Sequence, residues 1–494
     1  MLNVLIYSSL LFDRHVHPNP QPRAFLSSRL LFLPLLVALM GLVSATSAAA
    51  QSSADTAHVE YRLLRQQEDW RSLRGEDRGW AALKAVPVGP GASTLLTVGG
   101  EARTYVRSWR HEQWGRLPAR DTYALQRLML HGAVSGRPGD GLGLRGFVQL
   151  KSGIVAGRDG PVFPTSRDRL GVNQAFVEGR WTVGPGRAVT LRVGRQELHY
   201  GAGRMIAVRE GPNLRRGFDA VLGRVRVGPW RADAVLARAS ATHPGVFDND
   251  RRSGRTLWGI HATRQGAAGR ASAYYLGTRR DAAPANPALR MTRHTIGVRG
   301  RRTIGRVRVE GEGAVQGGRY RHSATGATGP VRAGMLAGRL AYRGAMGPGS
   351  TLGVAADWSS GDIGGTSAHE TFAAPYPSGR WTGAGSRLGP GNLLNLRPFV
   401  GLPLRPDLHV QVRGHLFWRS RSSDGLYAIW GAPLRRAGPS DARFVGAMPA
   451  AVFNWTVNRH LTVAGEASHF LTGPALNRPG RDMTHLGLRA TYLF

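Results

Sequence analysis

The chain has 494 residues, no cysteine and a formal net charge of +35, carried almost wholly by arginine because lysine occurs only at Lys84 and Lys151. The absence of cysteine excludes a disulfide scaffold, a thiolate metal site and a cysteine nucleophile. The 67 glycines and 29 prolines favour frequent turns over long helices. The arginines are spread along the whole chain at alternate positions, with no basic tail or block, which argues against a nucleic-acid binder that gathers its charge on one face. A sheet closed into a barrel would point such alternate side chains into a lumen.

In chain order, Arg23 and Arg29 precede an apolar run from Leu30 to Val43, and small residues continue to Ala48-Ala49-Ala50 before Gln51. A positive n-region, a short h-region and an A-x-A site predict a removable signal peptide over 1–50, with an N-terminal membrane anchor as the alternative. The run is shorter than the ~20 residues of a spanning helix, and no run of that length occurs after residue 50. A membrane-embedded mature chain must therefore cross as strands.

Residues 51–92 differ in pattern from the remainder of the mature chain. The polar stretch from Tyr61 to Trp70 leads through Trp80 and Lys84 to a turn at Gly89-Pro90-Gly91, and reads as a periplasmic lead-in segment. From Ser93 the period becomes two. Leu96, Val98, Gly100, Ala102, Thr104 and Val106 fall on one face, opposite Thr97, Glu101, Arg103, Tyr105 and Arg107. Leu144, Gly146, Val148 and Leu150 alternate with Arg145, Phe147, Gln149 and Lys151. Val307, Val309, Gly311, Gly313 and Val315 alternate with Arg308, Glu310, Glu312 and Gln316, and Leu408, Val410, Val412, Gly414 and Leu416 with His409, Gln411, Arg413 and His415. One face suits lipid and the other water, a sorting that the 3.6-residue period of a helix cannot produce.

Such runs recur near 94–108, 122–134, 143–152, 172–182, 188–198, 217–227, 230–239, 256–265, 271–279, 292–301, 305–316, 334–343, 351–359, 392–401, 408–418, 443–456, 461–471 and 483–494. The expected fold is all-β: a transmembrane antiparallel up-and-down β-barrel of about 18 strands over 93–494, a size that leaves an aqueous channel. A soluble β-sandwich also alternates, but rarely sets charged residues opposite its apolar face on nearly every strand. In the last run Leu486, Leu488, Ala490, Tyr492 and Phe494 share a face. Terminal aromatics suit the lipid–water interface, and a final strand of this form resembles the signal by which outer-membrane barrels are recognised for assembly.

The densest motif is Leu191-Arg192-Val193-Gly194-Arg195-Gln196-Glu197-Leu198-His199-Tyr200-Gly201, then Arg204, Arg209-Glu210-Gly211-Pro212-Asn213 and Phe218-Asp219. Together with Gly99-Gly100-Glu101-Ala102-Arg103, Gln174-Ala175-Phe176-Val177-Glu178, the lead-in Gln67-Glu68-Asp69-Trp70 and Asp357-Trp358-Ser359-Ser360-Gly361-Asp362, it resembles the alginate-export family of outer-membrane channels. The resemblance implies an 18-stranded barrel whose arginine-rich lumen passes an anionic polysaccharide.

By parity, Arg103, Arg107, Arg127, Arg145, Arg192, Arg308 and Arg413 point inward, as do Glu101, Glu178, Glu310, Glu312 and Asp357. Arg195, Glu197 and Arg204 join them as candidate solute-binding residues. Arg195 and Glu197 fall on the opposite parity, which a bulge or the end of the strand would reconcile. Guanidinium forks in a confined pore favour carboxylate or phosphate solutes. Taken singly, each of these residues reads first as part of a wall ladder that fills the lumen and stiffens the sheet; as an ensemble the arginines point to an anion path.

The expected partners are outer-membrane lipid, an anionic polysaccharide or small acidic solute, and the barrel-assembly machinery through Phe494, with no nucleic acid. No cofactor is expected, and the 16 histidines show no metal-ligand spacing. Asp248-Asn249-Asp250 has oxygens for Ca²⁺ but reads as a solvated turn. The alternative function is a barrel hydrolase acting on lipid or polymer, for which Ser468 beside His469 is a poor fit, because adjacent strand residues face opposite sides. The mature protein is expected to begin near Gln51, losing three arginines against one aspartate. N-terminal sequencing of membrane-extracted protein checks this, and a start at or before residue 30 rules the signal peptide out.

Overall fold

A computed structural model of the chain describes residues 60–494, apart from 90–92, 140, 251–254, 268, 282–288, 437, 439–441 and 477–479. The expected signal peptide lies outside the described residues. Eighteen antiparallel strands close into a barrel. They are β1 (Thr94–Arg110), β2 (Arg120–Gly139), β3 (Leu142–Ala156), β4 (Asp168–Gly184), β5 (Arg187–Gln196), β6 (Phe218–Val227), β7 (Trp230–Ala239), β8 (Arg255–Gly266), β9 (Gly269–Arg280), β10 (Leu289–Ile304), β11 (Val307–His322), β12 (Thr328–Arg343), β13 (Thr351–Ser359), β14 (Leu393–Arg405), β15 (Leu408–Arg419), β16 (Phe444–Thr456), β17 (Leu461–Thr472) and β18 (Met483–Leu493). Each coincides with one of the period-two runs. The barrel closes where β1 pairs with β18, from Glu101↔Leu493 to Arg110↔Thr484.

Connections after even-numbered strands run from two to seven residues and lie at one end, together with Phe494; those after odd-numbered strands run from five to 33 residues and lie at the other. Gly228-Pro229 joins β6 to β7 in two residues, with φ +54° at Gly228. A positive φ next to the fixed φ of proline matches a hairpin turn of the primed kind, and glycine adopts it without a Cβ penalty.

The outward faces carry apolar side chains with large exposure, among them Val148, Val177, Ile296, Leu336 and Leu488. Outward Trp181, Trp230, Tyr342, Trp455 and Tyr492 lie within a few residues of the short-turn rim, and outward Trp258, Trp358 and Trp418 near the other. Such girdles at both rims are what a barrel places at the lipid–water interfaces.

The inward faces depart from a simple polar lining. Phe218, Ala220, Leu222, Val235, Ala237, Ala239 and Leu257 on β6–β8 point inward and are buried. They pack against Leu198, Met205, Ile206, Phe372, Tyr376 and Trp381, which belong to loops 197–217 and 360–392. Apolar wall faces apolar loop, so much of the core lies inside the barrel. A second luminal cluster gathers Tyr105, Trp109, Trp114, Leu125, Leu388, Phe417, Met448 and Phe470 near the long-loop end.

The lead-in folds against the short-turn end as 3-10 turns at Arg65–Gln67, Arg71–Leu73 and Gly79–Leu83 and a short strand, Val86–Val88. That strand pairs with Thr94–Leu96 of β1, along the stretch of edge that β18 does not reach. Trp70, Leu73 and Ala85 form a small apolar centre with Tyr61 packed on it. Burial, and then the neighbouring Arg65, push the Lys84 ammonium down to about 8.

β11 shows where charge on the lipid face costs most. Val309 lies two residues from the short-turn end of the strand, whereas Val315 is at its middle and 65% exposed. The sequence run stopped at 316 and so placed Val309 nearer the centre than it is. Val315→Arg is expected to destabilise the barrel by about 2–4 kcal/mol, and Val309→Arg by about 0–1 kcal/mol. Urea titration of the heat-modifiable gel band measures both; equal costs would mean that depth along β11 is misassigned.

Candidate functional site: the loop-crossed lumen

Loop 197–217 leaves β5 and turns into the lumen, where an ion cluster anchors it. Glu210 Oε1 accepts hydrogen bonds from Arg103 NH1 at 3.2 Å and Arg127 NH2 at 2.6 Å, and Oε2 accepts from Arg215 Nε at 2.6 Å. Glu101 also pairs with Arg127, and with Arg215 at 3.6 Å. Arg103 donates to the carbonyls of Pro212, at 2.6 Å, and Asn213, at 3.3 Å. Asn213 Nδ2 donates to the carbonyls of Gln126 and Ser166, each at 2.9 Å. Burial alone would raise the Glu210 carboxyl; Arg127, Arg215 and Arg103 outweigh it and hold the group well below the usual carboxylate range. At Glu197 burial wins and the carboxyl is raised, though Arg215 and Asn173 pull it back.

Further along the same loop, Arg204 donates to Glu312 at 3.1 Å and Asp357 at 3.3 Å, with its guanidinium over the Trp381 ring. The Ala207 amide bonds the Tyr376 carbonyl and the Tyr376 amide bonds the Met205 carbonyl, both at 2.9 Å. Loop 360–392 is tied to the wall in turn, because Asn395 Nδ2 and Arg397 NH1 donate to the Trp381 carbonyl at 3.1 and 3.0 Å. The two loops thus form one ledge that crosses the lumen from β1–β2 to β11–β14.

The candidate residues divide by this ledge. Arg103 and Arg127 are 0% exposed, enclosed against it. Arg107 is buried, donates to His485 Nε2 at 3.2 Å and stacks on Trp109. Arg192 pairs with Glu178 and lies over Phe176. Arg145, half-buried, donates to the Gln66 carbonyl of the lead-in. Arg195 is not in the lumen. The β4–β5–β6 register runs unbroken past it, so it shares the outward face of Leu191 and Val193 and pairs there with Asp219 at 2.8 Å. The bulge lies instead in the β3–β4 pairing beside Asn173, and Glu197 meets Asn173 because β5 has already ended at Gln196.

The opposite arc of the wall remains partly open. Half-buried Arg299, Arg301, Arg308, Arg339, Arg397, Arg413 and Arg489 point inward from β10–β12, β14, β15 and β18. With Arg204 they number twice the carboxylates among them, Glu310, Glu312, Asp357 and Glu466. Arg301, Glu310 and Arg339 stand directly opposite one another across three strands. Arg299 and Arg308 reach Glu310 at 3.3 and 2.9 Å, Arg413 reaches Glu466 at 3.4 Å, and Arg397 reaches Asp357 at 3.8 Å. Arg339 lies over the Phe399 ring at 4.1 Å. Among the described residues, Arg301 and Arg489 have no carboxylate within ion-pair distance. Sequence reasoning missed Arg299, Arg301, Arg339, Arg397 and Arg489, although extending the parity rule through the weaker runs would have found them. Arg215, in a loop, carried no such signal.

The remaining candidates are spoken for. Asp248 Oδ2 accepts from the Gly245 amide, and Asn249 bridges Asp168 and the His243 amide. Among the described residues no group of three His, Cys, Asp or Glu is placed to hold a metal ion. Ser468 is buried on the inner face beside His485, while His469 faces out and meets Thr484.

A closed eighteen-strand barrel with two aromatic girdles and a loop-constricted, cationic lumen defines the class of outer-membrane channel barrels. The sequence matches the alginate export family model over residues 94–488, and the chain belongs to that family. No curated protein matches it by sequence. Among solved structures, it is similar to Acinetobacter baumannii OccAB1 (TM-score 0.56, 10% identity, covering 81% of this chain and 96% of that one) and OccAB3 (0.56, 12%, 81% and 99%). Pseudomonas aeruginosa OccK2 (OpdF) in complex with glucuronate is similar at TM-score 0.53 and 12% identity, covering 81% of this chain and 98% of that one. At these identities the likeness is one of fold.

Removing one partner of a buried ion pair strands the other charge. Glu210→Gln is therefore expected to destabilise the barrel by about 3–5 kcal/mol and to loosen loop 197–217. Heat-modifiable gel mobility and proteolysis of that loop measure this; wild-type stability and an uncut loop would show that the cluster does not hold the ledge.

Proposed function

We propose that this protein is a passive outer-membrane channel for anionic saccharides, alginate-like polymers or small organic acids among them. The observation that carries the reading is the twofold excess of inward arginines over carboxylates on the open arc. A guanidinium binds carboxylate through two parallel hydrogen bonds, and a site that binds weakly and repeatedly lets a solute enter and leave. Partial pairing with Glu310, Glu466 and Asp357 keeps each arginine oriented and its hold on a passing anion moderate. The family's description as alginate export and the glucuronate in the OccK2 complex both agree with an acidic sugar. Nothing in a passive pore sets a direction of flow.

On this reading the chain is exported by its signal peptide, cleaved near Ala50/Gln51, and assembled through its C-terminal strand ending at Phe494. The short-turn rim faces the periplasm and lipid contacts the outward faces. No observation favours a hydrolase: Ser468 and His469 lie on opposite faces, and neither Ser468 Oγ nor His485 Nδ1 has a hydrogen-bond partner among the described residues.

In planar bilayers the channel is expected to select anions at low salt. The preference should fade as the Debye length falls from about 30 Å at 0.01 M to about 3 Å at 1 M. Arg301→Gln combined with Arg489→Gln removes two charges without orphaning a carboxylate, so the fold should survive while the reversal potential in a salt gradient shifts toward zero. A wild-type channel without anion preference at low salt overturns the proposal.

A further inference from the structure

We infer that the described lead-in, residues 61–73, is a size filter: seated, it admits small solutes past the open arc, and a polymer passes only when it leaves. The inference rests on the channel reading; the filtering by size is independent of the solute's charge, whereas the displacement of the segment uses a negative one.

The segment is threaded among inward-facing groups. Tyr61 OH meets His460 Nδ1 at the β16–β17 turn, at 2.9 Å, and Arg65 NH2 donates to the Phe494 carbonyl at 3.0 Å. Deeper in, Gln66 Nε2 donates to the Glu197 carbonyl, and Gln66 Oε1 accepts from Gln174 on β4, both at 3.2 Å. The carbonyls of Leu63 and Gln66 accept from Arg215 and Arg145. These anchors run round the wall from the β16–β17 turn past the end of β18 to the end of β5, and so overlap the β1–β5 arc that the ion cluster of loop 197–217 already fills. What the lead-in leaves free is the arginine-lined wall from β10 to β15.

The manner of its attachment fits a part that can be displaced. It is held to the wall mostly by neutral acceptors and by a small apolar centre, and its two ion pairs, Arg65 to Glu68 at 2.9 Å and Arg71 to Asp69, are internal to the segment. A carboxylate offers a guanidinium a full opposite charge and two parallel hydrogen bonds, where a peptide carbonyl offers one acceptor. Arg145 holds only a peptide carbonyl from the lead-in, so a carboxylate-bearing chain entering the mouth competes for it on favourable terms. Arg215, by contrast, keeps Glu210 when the lead-in goes, and the ledge stays in place. The strand Val86–Val88 remains paired with β1 throughout and acts as the tether.

The test is liposome swelling with wild-type protein and with a chain lacking residues 61–73 but retaining the tether. Glucuronate and its longer oligomers are compared with glucose and malto-oligomers. Loss of the segment should raise oligomer flux several-fold while monomer flux changes less than twofold. An unchanged oligomer-to-monomer ratio overturns the inference. A raised ratio for neutral and acidic oligomers alike, with no anion preference, supports the filter and counts against the anionic substrate. Should the shortened chain fail to show the heat-modifiable barrel band, wild-type protein answers directly. Trypsin cleavage after the buried Arg65 should rise several-fold with oligoglucuronate and not with glucuronate alone, and cleavage unchanged by the oligomer overturns the inference.

Discussion

Hydrocarbon offers no partner to a peptide N–H or C=O, so each such group that crosses the bilayer must be satisfied within the protein. The pairing of β1 with β18 meets that demand by leaving no membrane-buried edge, and the rest of the architecture depends on it. Closure sends alternate side chains outward into lipid and inward into a space that is neither lipid nor bulk water. In that space irregular backbone is tolerated, because wall side chains can bond it. Arg103 donating to the carbonyls of Pro212 and Asn213, and Arg397 to that of Trp381, are cases in point. The arginines that make the lumen cationic are in part the same ones that let loops live inside it.

This double use divides the lumen. On the β1–β5 arc, Arg103, Arg127 and Arg215 are saturated by Glu101, Glu197 and Glu210, and their charge is consumed in holding loop 197–217. On the β10–β18 arc the carboxylates are too few to match the guanidinium groups. An inward arginine is therefore not by itself a filter residue. Its weight depends on whether an acid or a loop carbonyl already claims it.

The wall was legible because lipid imposes a strict period of two, and every strand from β1 to β18 coincides with a run that the sequence shows. Facing was legible wherever that period holds, as for Val309 against Glu310. The ledge was not, since Arg204 finds Glu312 and Asp357, and Ile206 meets Tyr376, across more than a hundred residues of chain with no local pattern to announce it. The inward apolar face of β6–β8 blurred the alternation for the same reason, because Leu222 and Leu257 face loops and not water. Arg195 illustrates the remaining difficulty: a conspicuous motif drew it in with Arg192, while simple parity had already set it outside. The lead-in was recognisable as different in composition, but its threading into the lumen depends on Arg145, Gln174 and Arg215, which lie far along the chain.

The near-absence of lysine has a consequence of its own. A guanidinium does not surrender its proton in proteins, so the positive charge along the open arc is fixed over any acidity that a cell envelope meets, and acid acts on carboxyl groups alone. For the acidic solute proposed above, acidification then strips charge from the solute while it leaves every positive charge of the wall in place. A sugar acid loses its negative charge as the surroundings approach the acidity of its own carboxyl group, and with it the attraction that draws it in. Permeation should therefore track the titration curve of whatever is being carried, which makes the pH profile of transport a fingerprint of the cargo.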